Sequence, residues 1–172
     1  MKNFNFGVFF LGLLFLSFNS SGQTTKDIVV VAQNSKDHTT LVQALTAADL
    51  VNTLKGKGPF TVFAPTNDAF AGLPAGTLDS LLLPKKKSKL SSILQYHVVP
   101  GNLDAKAVMA AIKKGNGKVV LTTLAGGMIT ATTVDGKVIL TDENGGKATV
   151  TATDLKASNG VVHVIDKLIM PK

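Results

Sequence analysis

Gly58-Pro-Phe-Thr-Val-Phe-Ala-Pro-Thr-Asn-Asp-Ala-Phe70 is the stretch from which the fold can be read. Phe60, Phe63 and Phe70 are the only phenylalanines outside the N-terminal leader, and they fall within eleven residues. Aromatic side chains bury the most apolar area per residue, so this segment is expected to be a packing centre. Phe60 to Ala64 reads as a short buried strand that Pro65 stops. Thr66 or Asn67 can then cap a helix, and Asp68 suits that helix's positive end.

The segment lies in a chain of 172 residues. Residues 1–22 read as a signal peptide. Lys2 supplies the positive region, Val8 to Leu16 is apolar apart from Gly12, and Ser20-Ser21-Gly22 offers a small-residue cleavage site before Gln23. The apolar run is too short to span a bilayer. The expected product is one secreted, periplasmic or cell-surface domain over residues 23–172, with no transmembrane segment. Its charge falls from +7 to +6, because Lys2 leaves and no acid does. There is no cysteine, so no disulfide forms.

Every strongly basic side chain is lysine, and there is no arginine. Arginine is the residue of choice for bidentate phosphate and guanine contacts. Beyond the leader only Tyr96 and the three phenylalanines are aromatic, so stacking platforms for single strands are thin. Nucleic acid is therefore not an expected partner.

Along the chain, Ile28 to Ala32 fits a strand or a buried helix by periodicity, and Asp27 before it favours a capped helix. Thr39 or Thr40 opens a helix with Leu41, Ala44, Leu45 and Ala48 on one face. Thr77 caps a short helix that Pro84 ends. Lys85 to Lys89 reads as a solvated loop. Ser88 caps a helix carrying Leu90, Ile93, Leu94 and His97, and Asp104 caps another carrying Val108, Met109 and Ile112. From Val119 onward the residues are strand-formers: Val119 to Leu124, Met128 to Val134, Val138 to Thr141, Ala148 to Thr153 and Val161 to Ile169. Asp135-Gly136 is a hairpin turn, and Asn144-Gly145-Gly146 is another turn. Helices first and a mostly antiparallel sheet last argue α+β.

Candidates for chemistry are few. His38, His97 and His163 are dispersed, so a metal site would need all its ligands assembled by the fold, and no cofactor or metal is expected. His38 is expected on the surface. His97 and His163, on apolar stretches, read as core histidines held by a hydrogen bond. Asp142 and Glu143, adjacent on a turn, read as solvated. Gly-x-Ser-x-Gly does not occur.

Two segments resemble conserved motifs of fasciclin-like domains: Thr61-Val-Phe-Ala-Pro-Thr-Asn-Asp-Ala-Phe70 and Asn159-Gly-Val-Val-His-Val-Ile-Asp-Lys-Leu-Ile-Met-Pro171. Leu94-Gln-Tyr-His-Val-Val-Pro-Gly101 is similar to that family's Tyr-His segment, and the match covers about residues 25–171. The resemblance implies a β-wedge of mostly antiparallel strands with several short helices. The two motifs would be neighbouring core strands, and Ile28 to Ala32 would be a helix. Phe60, Phe63, Pro65, Thr66, Asn67, Phe70, Asn159, Gly160, His163 and Asp166 would be the structural motif residues.

The resemblance also implies a non-catalytic adhesion or interaction module, with an extracellular or surface protein or glycan as partner. Tyr96 and His97 are the candidate adhesion segment. The Asp-Ile pair linked to adhesion near the second motif is missing, since Asp166 is followed by Lys167. The competing expectations are a secreted hydrolase using His97 or His163 with an acid such as Asp166, and a binder of a small ligand or acidic glycan.

Overall fold

The computed structural model describes residues 26–172. The expected signal peptide lies outside this range. Five short helices and two longer ones accompany a seven-stranded sheet, so the fold is α+β. In chain order come α1 (Ile28–Gln33), α2 (Thr39–Ala47), α3 (Val51–Lys55), β1 (Phe60–Pro65), α4 (Asn67–Ala71), α5 (Thr77–Leu82), α6 (Lys87–Tyr96), β2 (Val98–Pro100) and α7 (Ala105–Lys114). Then follow β3 (Lys118–Thr122), β4 (Met128–Val134), β5 (Lys137–Thr141), β6 (Lys147–Ala157) and β7 (Gly160–Ile165).

The strand order is β2-β1-β7-β6-β5-β4-β3. One pairing is parallel: β1 lies beside β7 with Phe60 opposite Gly160 and Pro65 opposite Ile165. The other five are antiparallel. The two motif strands are therefore neighbours inside the sheet, with only β2 between them and one edge. Each is buried at five of its six positions, as a strand covered on both faces must be.

β1 separates two cores. Val62 and Ala64 face the helices, joining Ile28, Leu41, Leu45, Leu90 and Phe70. Phe63 points the other way, into a core of Val108, Ile129, Leu140 and Ile165 inside the curved sheet. Phe60 is half-buried on the helical side. The three phenylalanines thus form no single packing centre. Alternation along β1 sends Phe63 to the opposite face from Val62 and Ala64, so the strand serves both cores.

Local side-chain caps set the starts of three of the seven described α-helices. The Asp27 carboxylate accepts from Val30 N at 2.8 Å, which makes Ile28–Gln33 a helix. Thr66 caps α4 by accepting from Ala69 N, and Asp104 caps α7 by accepting from Ala107 N at 2.7 Å. Asn67 works elsewhere. Its Oδ1 accepts from Thr40 N, giving α2 the cap that its own flanking residue lacks, and its Nδ2 donates to the Lys36 carbonyl. β6 breaks register between Val150 and Leu155. Asp154, at φ 58° in that irregular stretch, accepts from Ala105 N and so adds a second acid to the start of α7.

Several expectations are corrected. Thr77 and Ser88 are not caps: Gly76 at φ 76° precedes α5, and Ser88 lies inside α6. Lys85 to Lys89 is no loop. Pro84 starts a single 3-10 turn over Pro84–Lys86, because its fixed φ suits a helical first position, and the turn runs directly into α6. The strand expected up to Ile169 stops at Ile165, where the Asp166 carboxylate accepts from Thr149 N at 2.7 Å and the chain turns away.

Phe63→Ala should cost about 3–5 kcal/mol of unfolding free energy in urea titration, because it opens a cavity in the inner core. A loss below about 1 kcal/mol would contradict this packing.

Candidate functional site

Tyr96 and His97 join the end of α6 to β2, and both are enclosed, at 0% and 2% exposure. The Tyr96 hydroxyl donates to the Met128 carbonyl at 2.6 Å and accepts from Glu143 N at 3.3 Å. Burial raises its pKa, as do the Glu143 and Asp142 charges, while the hydrogen bond from Glu143 N opposes them. His97 Nδ1 donates to the Ile93 carbonyl at 2.8 Å, and Nε2 accepts from Ile169 N at 3.3 Å. These bonds hold the neutral tautomer with its proton on Nδ1. The candidate adhesion segment therefore offers no surface of its own in this fold.

A strap formed by Ile169 to Lys172 closes over it. The Asp142 carboxylate accepts from Met170 N at 2.9 Å as well as from Asn144 N and Gly146 N. Glu143 accepts from Met128 N and Lys172 N, and the Asn144 side chain donates to the Met170 and Pro171 carbonyls. Asp142 and Glu143 are thus not simply solvated. The turn that carries them lies against the chain's last residues, whose backbone N–H groups need acceptors. Sequence reasoning missed this cluster, because the strap residues are more than twenty positions from the turn.

The other histidines are also closed. His163, 2% exposed, bonds through Nε2 to the Leu103 carbonyl at 2.7 Å and accepts from Asp154 N through Nδ1 at 3.4 Å. Its ring stacks on Phe63 with centroids 5.7 Å apart. His38, expected on the surface, is 4% exposed. It sits where the 3-10 turn Lys36–His38 folds under α2, bonds to Ser35 Oγ at 2.8 Å, and leaves Nε2 without a partner in hydrogen-bond geometry. Burial lowers its pKa, against the opposing influence of the Ala64 backbone and Asp37. No histidine among the described residues is open to solvent beside both a carboxylate and a hydroxyl. Nor do three or more His, Cys, Asp or Glu gather there as a metal site.

Asn159 ties the start of the second motif to α1 and to the end of α3. Its Oδ1 accepts from Ile28 N at 3.0 Å, and its Nδ2 donates to the Leu54 and Gly56 carbonyls. Gly160 follows because a Cβ there would stand 1.9 Å from the Phe60 carbonyl oxygen. Around this junction opens a cleft of about 530 Å³, bounded by Lys55, Lys57, Pro59, Asn102, Ser158 and Gly160. A second cleft, of about 340 Å³, adjoins the lysine run at Gly76, Ser80, Lys86 and Lys89.

The carboxylates leave the lysines largely unpaired. Asp27, Asp104, Asp142, Glu143, Asp154 and Asp166 all accept from backbone N–H groups. Lys87 with Asp49, at 3.4 Å and exposed, is the one ion pair found among the described residues. Most lysines thus stand outside direct ion pairs, on a domain whose net charge over residues 26–172 is +6.

Burial holds His97 down to about 4 from an ordinary 6.5, against the Ile93 carbonyl and the Asp142 charge, which favour protonation. The unfolded chain therefore binds more protons than the folded one between those values. Stability should be complete above pH 6.5 and fall as pH drops to about 4, by on the order of 3 kcal/mol. Urea midpoints between pH 7 and 4 should fall less steeply for His97→Gln than for the parent. Equal slopes would show that His97 is not the linked group.

Comparison with known proteins agrees with this architecture. The fasciclin domain model matches residues 36–171. Protein sll1483 of Synechocystis sp. is 54% identical over 144 residues, covering 84% of this chain and 73% of that protein. Immunogenic protein MPB70 of Mycobacterium bovis is 35% identical over 155 residues, covering 87% and 72%. A FAS1 domain pair from the insect cell adhesion molecule fasciclin I superposes with a TM-score of 0.60 at 19% identity, covering 74% of this chain and 43% of that one. The family model over residues 36–171 and these relatives, on a fold whose two motif strands pair in parallel, establish that the chain belongs to the fasciclin domain family.

Proposed function

We propose that this protein is a secreted or cell-surface interaction module that adheres to an extracellular or surface partner and catalyses no reaction. Membership of the fasciclin family across nearly the whole described chain carries the reading, since fasciclin domains are found in cell-adhesion and surface proteins. The chemistry of the interior supports it. His97 and His163 are spent on backbone carbonyls and amides, and Asp166 on a backbone amide. His38 meets the Ser35 hydroxyl but is enclosed, and no carboxylate bonds its other nitrogen. No helix among the described residues is long and apolar enough to cross a membrane, so attachment at a surface would come from binding or from parts of the chain outside that range.

In this reading Tyr96 and His97 build the scaffold, and the partner meets surfaces that they hold in place. The Tyr96 hydroxyl serves two backbone groups at once, which favours a structural role. Residues 1–22 are removed on export, leaving a domain that begins near Gln23.

The domain, immobilised in its folded form, should retain material from surface and matrix fractions, while esters and glycosides stay intact in parallel assays. Turnover of a reporter substrate without retention of any fraction would reverse the reading. Tyr96→Phe should lower stability by about 1–2 kcal/mol and leave retention unchanged. Lost retention by a fully stable variant would make Tyr96 a contact residue instead. The exported protein should begin near Gln23 on N-terminal sequencing, and Met1 there would refute the signal peptide.

A further inference from the structure

The cleft beside Asn159 unites three segments that are remote in sequence: the end of α3 and the turn after it, the residue following Gly101, and the β6–β7 turn. Its walls are tied to one another. Asn159 Nδ2 donates to the Leu54 and Gly56 carbonyls, Phe60 N donates to the Asn159 carbonyl at 3.0 Å, and Gly101 N donates to the Pro59 carbonyl at 2.9 Å. Ser158 N donates to the Lys26 carbonyl at 2.8 Å, so the start of α1 is fixed to the same rim. The cavity is consequently preformed, and a ligand entering it need not order a loop. Its volume of about 530 Å³ is large enough for a small-molecule segment.

The lining chemistry is specific. Lys55 and Lys57 stand in the cleft, and Lys26 and Lys156 adjoin it in the chain. No acid lines it, and the nearby Asp27 carboxylate is occupied by Val30 N. Ser158 and Asn102 add a hydroxyl and an amide whose side chains are exposed. No aromatic or large aliphatic side chain lines the cleft, which disfavours an apolar ligand or a stacked base. Ammonium groups beside neutral hydrogen-bonding groups suit a ligand that is anionic and polyhydroxylated.

We propose that this cleft binds an anionic saccharide, through Lys55 and Lys57 at its carboxylate or sulfate and through Ser158 and Asn102 at its hydroxyls. The proposal rests on the interaction reading above and names the partner chemistry for one of its surfaces. The smaller cleft at Lys86 and Lys89 is the weaker candidate: its wall helix α5 carries Asp79, and the adjoining Lys87 is paired with Asp49.

The test measures binding of the full domain to heparin, polygalacturonate, neutral dextran and polyglutamate at low and physiological salt. Heparin or polygalacturonate should bind, with the better of the two showing whether sulfate or carboxylate is preferred. Dextran should not bind, and polyglutamate should bind at least tenfold more weakly than the favoured saccharide. Lys55→Ala/Lys57→Ala should weaken saccharide binding at least tenfold with an unchanged melting temperature, whereas Lys86→Ala/Lys89→Ala should change it less than twofold. The proposal fails if neither charged saccharide binds, if polyglutamate binds as well as they do, or if the 86/89 pair carries the effect. If the 55/57 variant still retains surface and matrix fractions while saccharide binding is lost or was never present, the adhesion reading stands independently of this cleft.

Discussion

Six residues of β1 lie parallel to six of β7, and almost everything else in the domain is arranged around that contact. Parallel neighbours cannot be joined by a tight turn, so the chain must leave β1 and return after roughly ninety residues. Closing so long a loop costs on the order of 4 kcal/mol in chain entropy beyond a constant. Burial of both strands on both faces offsets it: Val62, Ala64 and Val162 under the helices, Phe63 and Ile165 inside the sheet. Helices α1–α3, before β1, cover one face, and the intervening chain adds α4–α7 on the way out and the β3–β6 meander on the way back.

Polar groups then secure the ends of this pair. Asn159 ties β7's approach to α1 and α3, Thr61 Oγ1 donates to the Gly101 carbonyl and accepts from Leu103 N, and Asp166 holds β6 where β7 ends. The carboxylates that do this work are unavailable to the lysines. Residues 26–172 carry seventeen lysines and eleven acids, a net +6 that the backbone bonds of the carboxylates do not alter. Those bonds stabilise the scaffold and leave most lysines without a direct ion-pair partner among the described residues.

How far the sequence discloses this depends on the distance over which each signal acts. Asp27, Thr66 and Asp104 cap helices through residues three positions on, so those helix starts are legible. The strands from β3 to β5 are legible because Val, Ile and Thr alternate between marked turns. Asn67 is legible as a candidate cap for the helix beside it but not as the cap of α2, whose Thr40 lies 27 positions away. His38 reads as surface because nothing near it in sequence reveals that the 3-10 turn folds inward. The strap over Tyr96 and His97, and the lysine cleft, are assembled only by tertiary contacts. Both depend on residues far apart in sequence, and no local pattern announces them.

Native-state hydrogen exchange tests the central role of the β1–β7 pair most directly. The amides of Val62, Ala64, Val162 and Val164 should exchange only through global unfolding, with opening free energies equal to the stability from denaturant titration. The C-terminal strap and the α5 region should open at lower free energies. If the β1 and β7 amides exchanged through local openings well below the global value while β3–β5 stayed protected, the parallel pair would not be what holds the domain together.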